Sequence, residues 1–186
     1  MILVATLGLA LALGLLSGGS LRILQGVRIK GEVALTLLLV LQLLAPLLAS
    51  RLGLSKLVTL SVWCAMLAAA AGICIWNRRL RGMWLAAVGL LLNATVVIAN
   101  LGMPVDANAY SRWTSSGSRL VLAATDHLHI LSSFSTRVPF LADVLAFPGP
   151  RLLASLVSAG DVLLLVGVAV LLSSGVVGSQ RLPVRR

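Results

Sequence analysis

Two aspartates, Asp143 and Asp161, are the residues of this chain whose type and spacing could do chemistry. Four of its five acidic residues are aspartates that follow the fourth apolar run, and these two bracket a Phe147-Pro148-Gly149-Pro150 turn. If that turn doubles the chain back, two carboxyls meet in a low-dielectric setting where they cannot both ionise easily, so one proton is shared. One acid can then activate water while the other protonates a carbonyl oxygen or a leaving amine, which is aspartic peptidase chemistry. Asp161 also has an ordinary reading, because Ser158-x-x-Asp161 is a capping-box pattern that satisfies backbone amides at a helix start. Asp143, after Pro139-Phe140-Leu141-Ala142, has no such role to fall back on.

Two further polar residues, Asn100 and His129, are placed to support the pair. Asn93 and Asn100 are seven residues apart, hence on one helical face, and Asn100 leads into Leu101-Gly102-Met103-Pro104-Val105. Gly102 can supply a left-handed helix end and Pro104 prevents continuation, while the Asn100 amide either bonds freed backbone groups or orients a catalytic group. His129 is a candidate hydrogen-bond partner for one aspartate. Asp126, His127 and His129 do not read as a metal site: on a helix the two histidines point about 200° apart, and no nearby His or Cys completes a zinc set. No metal and no cofactor is expected.

The elements that must position these groups are apolar. Hydrophobic residues make up 59% of the 186 positions and charged residues 11%, whereas a soluble domain is about a quarter charged. The fold expected is all-α: one polytopic membrane helix bundle spanning the whole chain, with spans near 1–19, 33–49, 57–76, 83–100 and 159–177. Residues 101–158 form a cap that holds both histidines and the only tyrosine. Within it Leu120–Leu131 is apolar enough for a helix that lies on or dips into the membrane surface. A full crossing by Leu120–Phe140 would bury Arg119, Asp126, His127, His129 and Arg137 at high cost. The first span has no basic leader and carries Gly14-x-x-x-Gly18, a spacing that lets helices approach closely. Cys64 and Cys74 lie ten residues apart in one helix, about 15 Å, too far for a disulfide.

The net charge of +10 comes from small basic groups between apolar runs rather than an aromatic-interleaved basic surface, so it argues against nucleic acid and for topology control. Nine bases mark an inner side: Arg22, Arg28 and Lys30, then Arg78, Arg79 and Arg81, then Arg181, Arg185 and Arg186. That puts the N-terminus outside, the C-terminus in the cytoplasm and the cap outside. The expected partners are the lipid bilayer and a membrane protein.

Asn100-x-Gly102-Met103-Pro104-Val105, His129, Thr136, Phe140-Leu141-Ala142-Asp143 and Ser158-Ala159-Gly160-Asp161-Val162 together resemble an uncharacterised bacterial domain-of-unknown-function family of small integral membrane proteins. The motifs of that family read Asn-Gly-Met-Pro-Val, Leu-Gly-Asp and Ser-Ile-Gly-Asp; here Ala142 and Ala159 replace the Gly and the Ile. The likeness covers roughly residues 83–175. A fainter similarity is to lipoprotein signal peptidase, whose second catalytic aspartate opens the last membrane helix in an Asn-Val-Ala-Asp context, where this chain has Ser158. That likeness implies a catalytic pair at Asp143 and Asp161. The residues leave three functions open: an integral membrane protein with an outer-face aspartate site, a membrane aspartic hydrolase in which Asn100 and His129 support the pair, or a non-catalytic packing or lipid-binding component.

Overall fold

A computed structural model describes residues 28–106, 128–147 and 155–177. Four long helices carry the fold: α1 (Glu32–Leu52), α2 (Lys56–Trp76), α3 (Met83–Asn100) and α4 (Ala159–Val177). They coincide closely with four of the five expected apolar runs; residues 1–19, with Gly14 and Gly18, lie outside the described residues. By length and composition α2 and α3 are long and apolar enough to cross a membrane.

Each helix boundary has a local cause. Gly53 ends α1 in the left-handed region and returns its N–H to the Ala49 carbonyl. Ser55 starts α2 by accepting from the Val58 N–H. The end of α3 differs from expectation in one detail: the left-handed residue is Leu101, at φ 54°, rather than Gly102. The Gly102 N–H still closes on the Val97 carbonyl, and Pro104 cannot extend the ladder.

The core has two parts. Along the helices, Leu67, Ala70, Ala71 and Cys74 of α2 pack on Met83, Ala86, Ala87 and Leu90 of α3, with Leu164 and Leu171 of α4 against them. At one end Leu60, Val96 and Val97 meet Met103, Leu128 and Leu141 of the cap. The antiparallel contact of α3 with α4 is set by glycine. A Cβ on Gly89 would stand 2.7 Å from the Leu164 N and closer still to the Gly160 carbonyl oxygen; one on Gly167 would stand 2.6 Å from both Ala86 N and Gly82 O. The two backbones therefore touch at Gly89–Gly160 and again near Gly82–Gly167, the kind of close approach that only small residues permit.

The cap corrects a purely helical expectation. Strand β1 (Met103–Val105) pairs in parallel with β2 (His129–Leu131), and β3 (Leu145–Phe147) pairs antiparallel with β4 (Ser155–Val157), around a 3-10 turn at Pro139–Leu141. Residues 129–131, expected at the end of an interfacial helix, are strand because the extended chain after α3 offers unpaired backbone groups that β2 satisfies. The rest of the expected 120–131 helix, Asp126 and His127 lie outside the described residues.

Glycine contact generates the first prediction. Gly89→Ala will destabilise the fold by roughly 1–3 kcal/mol, since backbone must move to admit the methyl. Gly72→Ala, in α2 with nothing within 4 Å of the new Cβ, will be neutral or stabilise by up to about 1 kcal/mol. Thermal unfolding of both variants in detergent checks the contrast; equal effects would remove the special status of the α3–α4 contact.

Candidate functional site

The site lies where the cap meets the end of α3 and the start of α4. The capping box expected from Ser158-x-x-Asp161 is formed reciprocally: the Asp161 N–H donates to Ser158 Oγ at 3.0 Å and the Ser158 N–H donates to Asp161 Oδ2 at 3.1 Å. The Gly89–Gly160 contact brings Asn93, one turn further along α3, against this cap. Its Nδ2 donates to Asp161 Oδ1 at 2.7 Å and its Oδ1 accepts from Ser158 Oγ at 2.8 Å. Only this amide orientation suits both neighbours, because an ionised carboxylate accepts only, whereas the serine hydroxyl can donate. Asn93 and Ser158 are buried and Asp161 is half-buried. Both Asp161 oxygens are thus anchored, and each keeps acceptor capacity for one further donor.

Asp143 reaches the same place by a different route. The antiparallel register sets Leu145 opposite Val157, so the chain doubles back and leaves Asp143 and Asp161 just beyond the same end of the β3–β4 pair. Residues 148–150 of the expected turn lie outside the described residues. On its other side Asp143 is bridged to Val105: its N–H donates to the Pro104 carbonyl at 2.8 Å and its own carbonyl accepts from Asp106. Because β1 pairs with β2 through Met103 and His129, and Met103 and Val105 share a face, His129 and Asp143 project to the same side. The His129 Nε2 to Asp143 Oδ2 distance is 3.9 Å.

The Asp143 side chain has an uncommon environment. Only 7% of the residue is exposed, and its Oδ1 is buried with no hydrogen-bond partner. Burial first, and then the negative charge of Asp161, push its carboxyl up from 3.8 to about 7, against the opposing influence of His129. The two acids therefore sit in contrasting settings: Asp143 is buried with an oxygen left open, and the Asp161 carboxyl accepts from two donors, the Asn93 amide and the Ser158 N–H.

Asn100 is used differently. Its Nδ2 donates to the Val96 and Arg137 carbonyls and its Oδ1 accepts from the Arg137 N–H, so it pins the cap loop to the last turn of α3. Asn93 takes the place beside Asp161. The sequence reading singled out Asn93 only for sharing a face with Asn100; a stronger signal was the small-residue stripe Gly82, Ala86 and Gly89 that runs into it, matched by Gly160 and Gly167 at the same seven-residue spacing. Among the described residues no three His, Cys, Asp or Glu side chains gather into a metal-binding group.

Fold and site together define a mostly helical protein with a buried carboxyl, Asp143, in its small β-cap and an anchored one, Asp161, in the first turn of α4. A family model described as a family of unknown function, DUF5317, matches residues 26–173, and the chain belongs to that family. No curated protein and no solved structure matches it.

The raised Asp143 fixes the sign of a pH dependence. Between about pH 4 and about pH 7 the folded state holds a proton that the unfolded state has lost, so the contribution of Asp143 is complete below that window and is lost as pH rises through it. Thermal unfolding will show stability falling across the window, by an amount on the order of a few kcal/mol. Asp143→Asn will flatten that slope. An unchanged slope in the variant would mean that another group titrates.

Proposed function

We propose that this chain is a multi-pass membrane protein, with its cap on the outer face of the cell membrane, whose Asp143 and Asp161 hydrolyse a peptide bond presented at that surface. The observation that carries the reading is the contrast between the two carboxyls: Asp143 is raised to about 7 beside Asp161, while Asn93 and Ser158 anchor both Asp161 oxygens. Pairs whose surroundings separate acid from base are how one site runs both halves of a hydrolysis.

In this mechanism Asp161 takes a proton from water as the water oxygen bonds to the scissile carbonyl carbon, and Asp143 gives its proton to the carbonyl oxygen. The tetrahedral species collapses as the carbon–nitrogen bond breaks. The departing amine takes the proton from Asp161, and the new acid returns one to Asp143. His129 faces Asp143 and stabilises its ionised form midway through the cycle. Asn100 supports the site indirectly, by holding the loop that precedes the Pro139–Leu141 turn.

Several features support the membrane setting. The helices expose Leu37, Leu47, Val62 and Ile98 on their outward faces, as lipid contact requires. Arg78, Arg79 and Arg81 follow α2 at the end opposite the cap, and an excess of bases marks the cytoplasmic side.

A second reading has an observation of its own. The closed ring of Ser158, Asn93 and Asp161 caps α4 and clasps it to α3, which is a complete role for Asp161 without catalysis. Single Asp143→Asn and Asp161→Asn variants separate the readings. As a hydrolase, the protein will lose processing of membrane peptides or lipoproteins by about a hundredfold or more in either variant, at normal protein level. Normal processing in both would reject hydrolysis and leave the clasp. Reporter fusions after Arg81 and within residues 111–118 will report inside and outside respectively; an inside signal from 111–118 would overturn the orientation.

A further inference from the structure

The end of the bundle opposite the aspartates carries a basic cluster that hydrolysis does not use. Arg78, Arg79 and Arg81 lie in the short α2–α3 connection, and Lys30 lies just before α1. What brings them together is Asn77, which is buried. Its Oδ1 accepts from the Lys30 N–H and its Nδ2 donates to the Lys30 carbonyl, both at 2.9 Å, and also to the Ile73 carbonyl. This staple joins segments 47 residues apart in the chain. The turn itself is closed by Arg78 N–H on Ile75, Leu80 N–H on Asn77 and Met83 N–H on Leu80. The bases therefore project from a fixed backbone.

All four bases are exposed, and Arg28 adds a fifth close by. Among the described residues none of them makes a side-chain ion pair or hydrogen bond, and the one acid near them in the chain is Glu32. Like charges held this close repel one another unless an anion sits among them. Two large aromatics flank the cluster: Trp76 is 64% exposed and Trp84 60%, and the Lys30 Nζ lies 5.7 Å from the Trp76 ring centre. Exposed tryptophan beside bases at the end of an apolar helix is the arrangement found at the headgroup level of a bilayer.

We infer that Lys30 and the Arg78, Arg79 and Arg81 turn, flanked by Trp76 and Trp84, form a binding site for the phosphate headgroup of an anionic phospholipid. The guanidinium fork matches a phosphate diester in two-point geometry, and the tryptophans set the depth at which that phosphate lies. The inference rests on the membrane reading above but not on hydrolysis.

The test uses the full chain in a mild detergent, with phosphatidylglycerol, phosphatidylcholine or soluble glycerophosphate added and the unfolding temperature recorded. Phosphatidylglycerol will raise it saturably, and the other two will not. In a triple Arg78→Gln, Arg79→Gln, Arg81→Gln variant half-saturation will need at least about tenfold more phosphatidylglycerol, since each base near an anionic surface contributes roughly fivefold. An Arg51→Gln, Lys56→Gln variant, altered at the cap end, will respond like the parent. Equal response to phosphatidylcholine, an equal response to glycerophosphate, or an unchanged triple variant would overturn the inference. Release of the chain from membranes by alkaline carbonate would instead overturn the membrane reading, a result distinct from insertion without lipid preference.

Discussion

The close approach of α3 and α4 is the constraint on which the rest of the site depends. With Gly89 against Gly160 and Gly82 near Gly167, the two helices can pass in only one register. That register sets Asn93 against Ser158 and Asp161, and a shift of one turn would move the amide more than 5 Å along the axis. The capping box of α4 and the packing face of α3 are thus one structure rather than two. Burial of polar groups at the contact is tolerated because donors and acceptors are matched in a closed ring.

Above this clasp the cap solves a different problem. A chain leaving α3 must satisfy its backbone groups without a long helix, and it does so with three short extended segments: β2 beside β1, and Asp143 bridged to β1 on the other side. The alternation of that small sheet aims His129 and Asp143 to one face. The β3–β4 pairing then returns the chain to α4. Asp143 is held by its backbone, while its side chain faces His129 through Oδ2 and keeps Oδ1 without a hydrogen-bond partner among the described residues. Its raised carboxyl follows from that isolation more than from its neighbours, since burial is the largest cause. The opposite end is organised by the same device of a buried asparagine, Asn77, that bonds across the chain.

How much of this was legible in the sequence varied with the range of the interaction. Four helices were readable because apolar runs ended by Gly, Ser and Pro are local signals. The Asp161 cap was readable because its partner, Ser158, is three residues away. The return of the chain from Asp143 toward the start of α4 was an open question in the sequence, since it turns on strand pairing across residues 145–157. The cap strands themselves were missed: β1 and β2 are three residues each and pair across a long connection, too short for alternation to register. The place of Asn93 beside Asp161 was not legible, because its partners lie 65 and 68 residues away and the cue is a glycine spacing shared by two helices distant in sequence.

The proposed hydrolysis requires the Asp143 carboxyl to hold its proton well above the ordinary carboxylate range. A site-resolved titration, following the Asp143 side-chain carboxyl by carbon-13 NMR in the detergent-solubilised full chain, measures this directly. The account predicts a midpoint near 7 that falls when Asp161 is replaced by Asn, because one of its causes has been removed. A midpoint near the ordinary 3.8 in the parent protein would contradict it.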